Sequence, residues 1–309
     1  MHTKMGFIAA LMITSTAVAQ SDSDEAAIRI RHVQGNVYLV AGPGGNTTAQ
    51  VGPEGMLLVD TQFESVAQRI REEIAAISPG RLRYIINTHM HPDHVGGNAV
   101  LVTTTPETPI EPLKLHAHNN VFSRLAQLDE GDPMSIDPRG WPYATYDSAT
   151  KDFFFNGEGI LLFHEPNAHT DGDTVVHFRG SDVVSTGDIF VPGSYPFIDI
   201  ERGGSIEGLI DALNHILELT IPAFTQEGGT YVIPGHGRIC DEADVVEYRD
   251  MVVIIRDRIR NHIDQGMSLR EVQRQRPTLD YDSEYVNEDS FIRAEAFVAA
   301  IYRSLTDNL

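Results

Sequence analysis

The densest chemistry in the chain lies at residues 88–98, THMHPDHVGGN. Three imidazoles (His89, His91, His94) and one carboxylate (Asp93) fall within six residues. Neutral imidazole nitrogens and carboxylate oxygens are the donors that zinc and related divalent cations prefer. Alternate side chains of an extended stretch point the same way, so His89 and His91 can reach one cation together. A turn beyond them sends Asp93 and His94 toward a second. Pro92 restricts that turn, and Gly96 and Gly97 let the backbone bend tightly into the next helix. Three more donors follow: His169 within PNAHTDGD, Asp188 at the end of STGD, and His236 within IPGHG. Each of these is weak alone. In this order, each at a strand end or turn, they reinforce one another.

The elements that must position these donors are legible as patterns. Residues 36–41, 47–51 and 56–59 are β-branched or apolar runs separated by Gly, Pro and Asn, and are expected as strands. Residues 64–77 carry Val66, Ile70, Ile74 and Ile77 at helical spacing, with Pro79-Gly80 as the stop. A strand at 83–86 feeds the histidine loop directly. Another strand is expected at 114–116 and a helix at 118–128. Residues 129–148 hold Gly131, Pro133, Pro138, Gly140 and Pro142, which predicts a long loop of the kind that covers a site. Strands at 153–155, 159–163, 174–178 and 182–185, a helix at 206–217, a strand at 231–233 and helices at 241–264 and 290–305 complete the order. Two strand runs, each passing into alternating strand and helix, predict two sheets face to face with helices outside. That is an α/β fold, a four-layer αββα sandwich, spanning 20–309 with a helical C-terminal region at about 241–309.

Composition narrows the partners. With 44 acidic against 23 basic residues the formal charge is −21, which opposes nucleic-acid binding and lowers the case for a nuclease. A small-molecule substrate is expected. The single cysteine, Cys240, excludes an intramolecular disulfide. The sequence fixes no oligomeric state.

The set His89-x-His91-x-Asp93-His94, His169, Asp188 and Pro234-Gly235-His236-Gly237 resembles the successive signature motifs of the metallo-β-lactamase fold superfamily. Asp60, in LLVDT, resembles its first motif. The resemblance covers roughly residues 28–250, and the family fold is αββα. It implies two zinc ions per chain: His89, His91 and His169 on the first, Asp93, His94 and His236 on the second, and Asp188 bridging. Asp60 would stand behind the histidines and hold their loop. Paired zincs lower the pKa of a water between them and give hydroxide at neutral pH, with Asp93 as the catalytic residue that orients it.

The implied activity is hydrolysis of a small cyclic amide, lactone, ester or thioester. A bridging Asp188 is unusual in true β-lactamases and more like thioester hydrolases, lactonases and phosphodiesterases, although β-lactamase-like activity is compatible with the site. Glyoxalase II-like thioester hydrolysis is one alternative, but residues 189–204 contain Arg202 as their only basic residue. A persulfide dioxygenase-like enzyme with a single iron is another. Trp141 and Tyr143 in the long loop, and Phe190, Tyr195 and Phe197 after Asp188, are candidate substrate contacts. His116, His118, His164, His177 and His215 are expected to lie away from the metal.

The first residues predict export. Lys4 precedes a short apolar run at 6–18, and Ala17-Val18-Ala19 is a cleavage pattern followed by polar residues. The mature protein is expected to be periplasmic or secreted, with no membrane insertion once the leader at 1–19 is removed. N-terminal sequencing of exported protein should read from Gln20, and an intact Met1 would refute cleavage.

Overall fold

The computed structural model describes residues 28–106, 112–129, 131–221, 229–286 and 292–306. The expected leader at 1–19 lies outside them. Along the chain, β1 (Arg29–Gln34), β2 (Val37–Gly42), β3 (Gly45–Gly52) and β4 (Gly55–Val59) form an antiparallel meander. Helix α1 (Glu64–Ile77) crosses to β5 (Leu82–Ile86), and α2 (Pro92–Val95) and α3 (Asn98–Thr104) cross to β6 (Lys114–His116). β4, β5 and β6 are parallel, giving a six-stranded sheet in chain order. After α4 (Asn119–Leu125) comes a second antiparallel run: β7 (Thr150–Phe155), β8 (Glu158–His164), β9 (Thr174–Phe178) and β10 (Val183–Ser185). Helix α5 (Ile206–Leu219) then crosses to β11 (Tyr231–Ile233), parallel to β10, for a five-stranded sheet of order β11-β10-β9-β8-β7. Helices α6 (Glu242–Asp264), α7 (Leu269–Gln275), α8 (Asp282–Tyr285) and α9 (Ala294–Thr306) follow.

Side-chain alternation divides these elements into four layers. Leu57 and Val59 of β4 face inward with Val176 and Phe178 of β9, Val183 of β10 and Ile233 of β11, forming the core between the sheets. Their neighbours Met56 and Leu58 face the other way, against Val66, Ile70 and Ile74 of α1. Val175, Val184 and Val232 likewise point outward from the second sheet, onto Leu209 and Leu213 of α5, Val252 and Ile255 of α6, and Phe297 and Ile301 of α9. Both sheets are thus covered on two faces, inward by each other and outward by the crossover helices. This is the αββα sandwich expected from the element order.

Three local differences have physical causes. β1 was not anticipated, because RIRHVQ offers only Ile30 and Val33 as apolar residues and lies at an exposed sheet edge. Helix α4 begins at Asn119 rather than 118, since His118 is its cap and accepts the Asn120 N–H. Helix α7 is set by a capping box between Ser268 and Glu271, a local signal in a stretch otherwise dominated by charge.

Strand β3 carries an unusual inner face. Asn46, Thr48 and Gln50 alternate on it, all buried and all polar, and each bonds across to the second sheet. Asn46 Nδ2 donates to the Pro234 carbonyl at 2.9 Å and the Gly237 carbonyl at 3.1 Å. Thr48 donates to Ser185 Oγ at 3.0 Å, and Gln50 to Glu158 Oε1 at 2.7 Å. The buried Glu158 carboxylate also accepts Gly180 N, Ser181 N and Ser181 Oγ, at 2.7, 2.7 and 2.8 Å. Glu158→Ala strands Gln50 Nε2 and the Gly180 and Ser181 N–H groups, while Ser181 Oγ keeps Asn36 Oδ1, and should lower stability by about 3 kcal/mol in denaturant titration, with Glu158→Gln milder. A loss below about 1 kcal/mol would show that the cross-sheet bonds contribute little net stability.

Candidate metal centre

β4 and β5 run parallel, so their C-terminal ends emerge side by side, and the residues just beyond them meet. Asp60, immediately after β4, has φ +62°. That left-handed turn is costly for a non-glycine residue. Its carboxylate accepts the Thr88 N–H at 2.8 Å and the Thr88 hydroxyl at 2.6 Å through its two oxygens, and His94 Nδ1–H at 2.7 Å. The Thr88 oxygen, having donated its proton to Asp60, is left to accept His89 Nδ1–H at 3.0 Å. One carboxylate therefore fixes the tautomer of two imidazoles and leaves both Nε2 atoms facing the same space.

The other histidines are held in the same way. His91 caps the short helix α2, whose first residue is Pro92, and its Nε2–H donates to Asp199 Oδ2 at 3.0 Å. His169 donates Nδ1–H to the Phe197 carbonyl at 2.7 Å. Asp173 accepts both the N–H and the hydroxyl of Thr170, at 2.7 Å each, pinning the loop that carries His169. In these four imidazoles, His89, His91, His94 and His169, one nitrogen is engaged behind the site and the other is turned into it, the arrangement that orients metal-binding histidines.

The structure brings together all seven donors named from the sequence. Three groups have ligand atoms within 4.8 Å of one another: His89, His91 and His169; Asp93, His94 and His236; and His89, His94 and Asp188. His91 Nδ1 and His169 Nε2 are 2.9 Å apart. His94 Nε2 and Asp188 Oδ1 approach to 3.2 Å without hydrogen-bond alignment, and His236 Nε2 lies 3.3 Å from Asp93 and 3.5 Å from Asp188. Gly235 is needed for close approach: a Cβ there would lie 1.9 Å from Asp188 Oδ1.

These donors fit divalent cations. His89 Nε2, His94 Nε2 and Asp188 Oδ1 are buried without a hydrogen-bond partner, a costly state for three polar atoms converging on one point. Burial, followed by the neighbouring imidazoles, holds His89 well below its ordinary pKa and brings His169 down to about 4, so both are neutral donors. His94 and His236 behave oppositely. Burial opposes their charging, but Asp188, with Asp60 for His94 and Asp93 for His236, raises His94 well above the usual range and His236 to about 9. Asp188 is itself held well below the carboxylate range by His94 and His236, against its burial. Without a cation, protons take the cation's place.

A cleft of about 870 Å³ opens over the donors. Phe197 stands on its wall, its ring 5.8 Å from that of His91 and 5.6 Å from that of His169. Tyr195 also touches the cleft, but its ring is buried between Tyr285 and Phe297 and its hydroxyl donates to Asp282 at 3.0 Å. The other three aromatic candidates lie elsewhere. Phe190 turns inward and packs edge-on to Tyr248, because the chain alternates sides past Asp188. Trp141 packs with Met90 and Val121 and against Phe122, and exposed Tyr143 donates to the Leu113 carbonyl. The long loop reaches the cleft through Met134 instead. Of the remaining histidines, His118 and His164 stack at 3.5 Å, His116 bonds the Ala144 carbonyl and His215 bonds Glu165. Sequence reasoning missed Asp199 and Phe63, whose roles come only from tertiary placement, and Thr88 and Asp173, which stand beside His89 and in the His169 loop and secure them there.

A model of the metallo-beta-lactamase superfamily matches residues 30–236. Among solved structures, the stereoselective inverting sec-alkylsulfatase Pisa1 from Pseudomonas sp. superposes with TM-score 0.65 at 14% identity, over 90% of this chain and 50% of its own. A double mutant of the sec-alkyl sulfatase PisA1 gives 0.69 at 14%, over 92% and 54%. This chain thus spans about half the length of these sulfatases. A metallo-beta-lactamase from Pontibacter korlensis gives 0.57 at 14%, over 74% and 99%. No curated protein sequence matches.

Cation binding must expel the protons on His94 and His236, so affinity should rise with pH from neutral through about 9, where His236 gives up its proton. Loading at neutral pH should release about one to two protons per chain, read by calorimetry in buffers of different ionisation enthalpy. In the metal-free protein, the His236–Asp188 contribution to stability is complete below the ordinary imidazole value and lost as pH rises through about 9. Loading without proton release would refute this charge arrangement.

Proposed function

Because the chain belongs to the metallo-β-lactamase superfamily, we propose that it is a metal-dependent hydrolase that holds two zinc ions and cleaves a small cyclic amide, lactone, ester or thioester. The observation that carries this reading is the convergence of seven donors from both sheets around three unpartnered buried ligand atoms. His89, His91 and His169 would hold one ion and Asp93, His94 and His236 the other, with Asp188 between them. Bound there, the ions supply an activated water at neutral pH and polarise the carbonyl that it attacks.

The chain's own residues do the rest. The Asp93 carboxylate, which stays below its ordinary pKa beside His236 and His94 despite its burial, faces the cleft and would orient the attacking water by accepting its hydrogen bond at Oδ1, since Oδ2 is turned to His236. Phe63 and Phe197 form part of the apolar wall of the cleft in which that water would stand. Asp60 and Asp199 keep the imidazoles from rotating. No thiol competes as nucleophile: burial pushes Cys240 up to about 12. A second reading, sulfate-ester hydrolysis, is supported by the alkylsulfatase folds, which follow 90–92% of the chain against 73–74% for the lactamases. The export proposed from the N-terminal sequence suits small substrates met outside the cytoplasm.

The test is a panel of β-lactams, lactones, thioesters, phosphodiesters and sulfate esters offered to zinc-loaded protein. At least one carbonyl class should turn over. His91→Ala should lower kcat/KM by about a hundredfold or more and reduce the metal content below that of the parent protein. Full activity and metal content in that variant, or one iron per chain with oxygen uptake, would sink the proposal.

A further inference from the structure

We infer that the substrate is a small amphiphile with an apolar tail and a single oxyanion group, and that Arg202 is the residue on which the oxyanion docks. The inference rests on the cleft being the substrate site of the proposed hydrolase. At about 870 Å³ the cleft could enclose a drug-sized molecule. Much of its wall is apolar: Phe63, Met134, Val191, Pro192, Phe197 and Ile292. Phe63 and Phe197 keep 40% and 37% of their surface exposed there. Two exposed aromatic rings in one concave wall are what an apolar tail would cover.

Among the described residues, Arg202 is the only Lys or Arg that lines this cleft, in a chain where acidic residues outnumber basic ones 44 to 23. Its side chain is 22% exposed, and Nη1 donates to Asp199 Oδ2 at 3.1 Å. The same oxygen accepts His91 Nε2–H at 3.0 Å. The guanidinium is therefore fixed beside the donor cluster, with further N–H groups for a second partner. Asp93 and Asp188 would be neutralised as ligands of the cations, so an anion entering the loaded cleft meets a favourable field. Paired with Asp199 through Nη1, the guanidinium keeps N–H groups for one further acceptor, a docking point for one anionic group. A carboxylate and a sulfate monoester share that chemistry.

The experiment is calorimetric binding of octanoate, octyl sulfate and neutral octanamide to the zinc-loaded full chain, alongside Arg202→Gln, Arg202→Lys and Phe197→Ala. At least one anion should bind about tenfold tighter than the amide. Arg202→Gln should erase that preference and Arg202→Lys keep much of it. Lengthening the tail should tighten binding roughly twofold to fourfold per methylene, less so in Phe197→Ala. The anion that shows the preference identifies the source. If the unaltered chain binds amide and both anions alike, the inference is overturned without recourse to any variant. It is equally overturned if Arg202→Gln keeps the preference. Anion preference without any hydrolysis would remove the hydrolase reading alone, and turnover of neutral substrates without anion preference would remove this inference alone.

Discussion

The Asp60 carboxylate is the interaction on which the centre depends. It accepts from the Thr88 backbone, the Thr88 hydroxyl and His94, and through that hydroxyl it also sets His89. It can do so because β4 and β5 are parallel neighbours, so that residues 28 apart in sequence end beside each other. The turn that aims it is left-handed at φ +62°, a strain persisting only where surrounding bonds fix it. Asp60 N–H to the Ile86 carbonyl and Thr61 N–H to the His94 carbonyl, both 2.8 Å, supply that restraint.

The same logic shapes the sandwich. Most of the interface between the sheets is Leu, Ile, Val and Phe, which holds two surfaces together without fixing their alignment. The polar face of β3 adds direction. Asn46, Thr48 and Gln50 each bond to the opposite half of the sandwich, so a shift in register would orphan all three. Asn46 reaches the loop holding His236, and Thr48 reaches Ser185 three residues before Asp188. Alignment of the sheets and assembly of the donors are thus one event.

Much of this was legible in the sequence, and the reason differs by residue. The 89–94 cluster declares itself because its spacing is local. His169, Asp188 and His236 declare themselves only as a series, since each sits on a different strand end. Layer assignment was legible because β4, β9 and β10 alternate between two apolar environments. Asp199 carried no signal: its value lies in reaching His91 across 108 residues. Of the aromatics after Asp188, Tyr195 and Phe197 touch the cleft and Phe190 does not, because nearness in sequence does not give direction. Phe190 and Phe197 are seven residues apart and face opposite environments. β1 escaped notice because an edge strand need not bury alternate residues.

The donors come from both halves of the sandwich: His89, His91, Asp93 and His94 follow β5, whereas His169, Asp188 and His236 belong to the loops of β8, β10 and β11. Filling the centre would therefore tie one sheet to the other at a single rim, while the Gln50–Glu158 bond joins them farther along β3. Ions that bind only the folded chain add their binding free energy to its stability. Chelation would loosen the rim first, so amide-hydrogen exchange should quicken in the donor loops before it reaches the strands around Glu158.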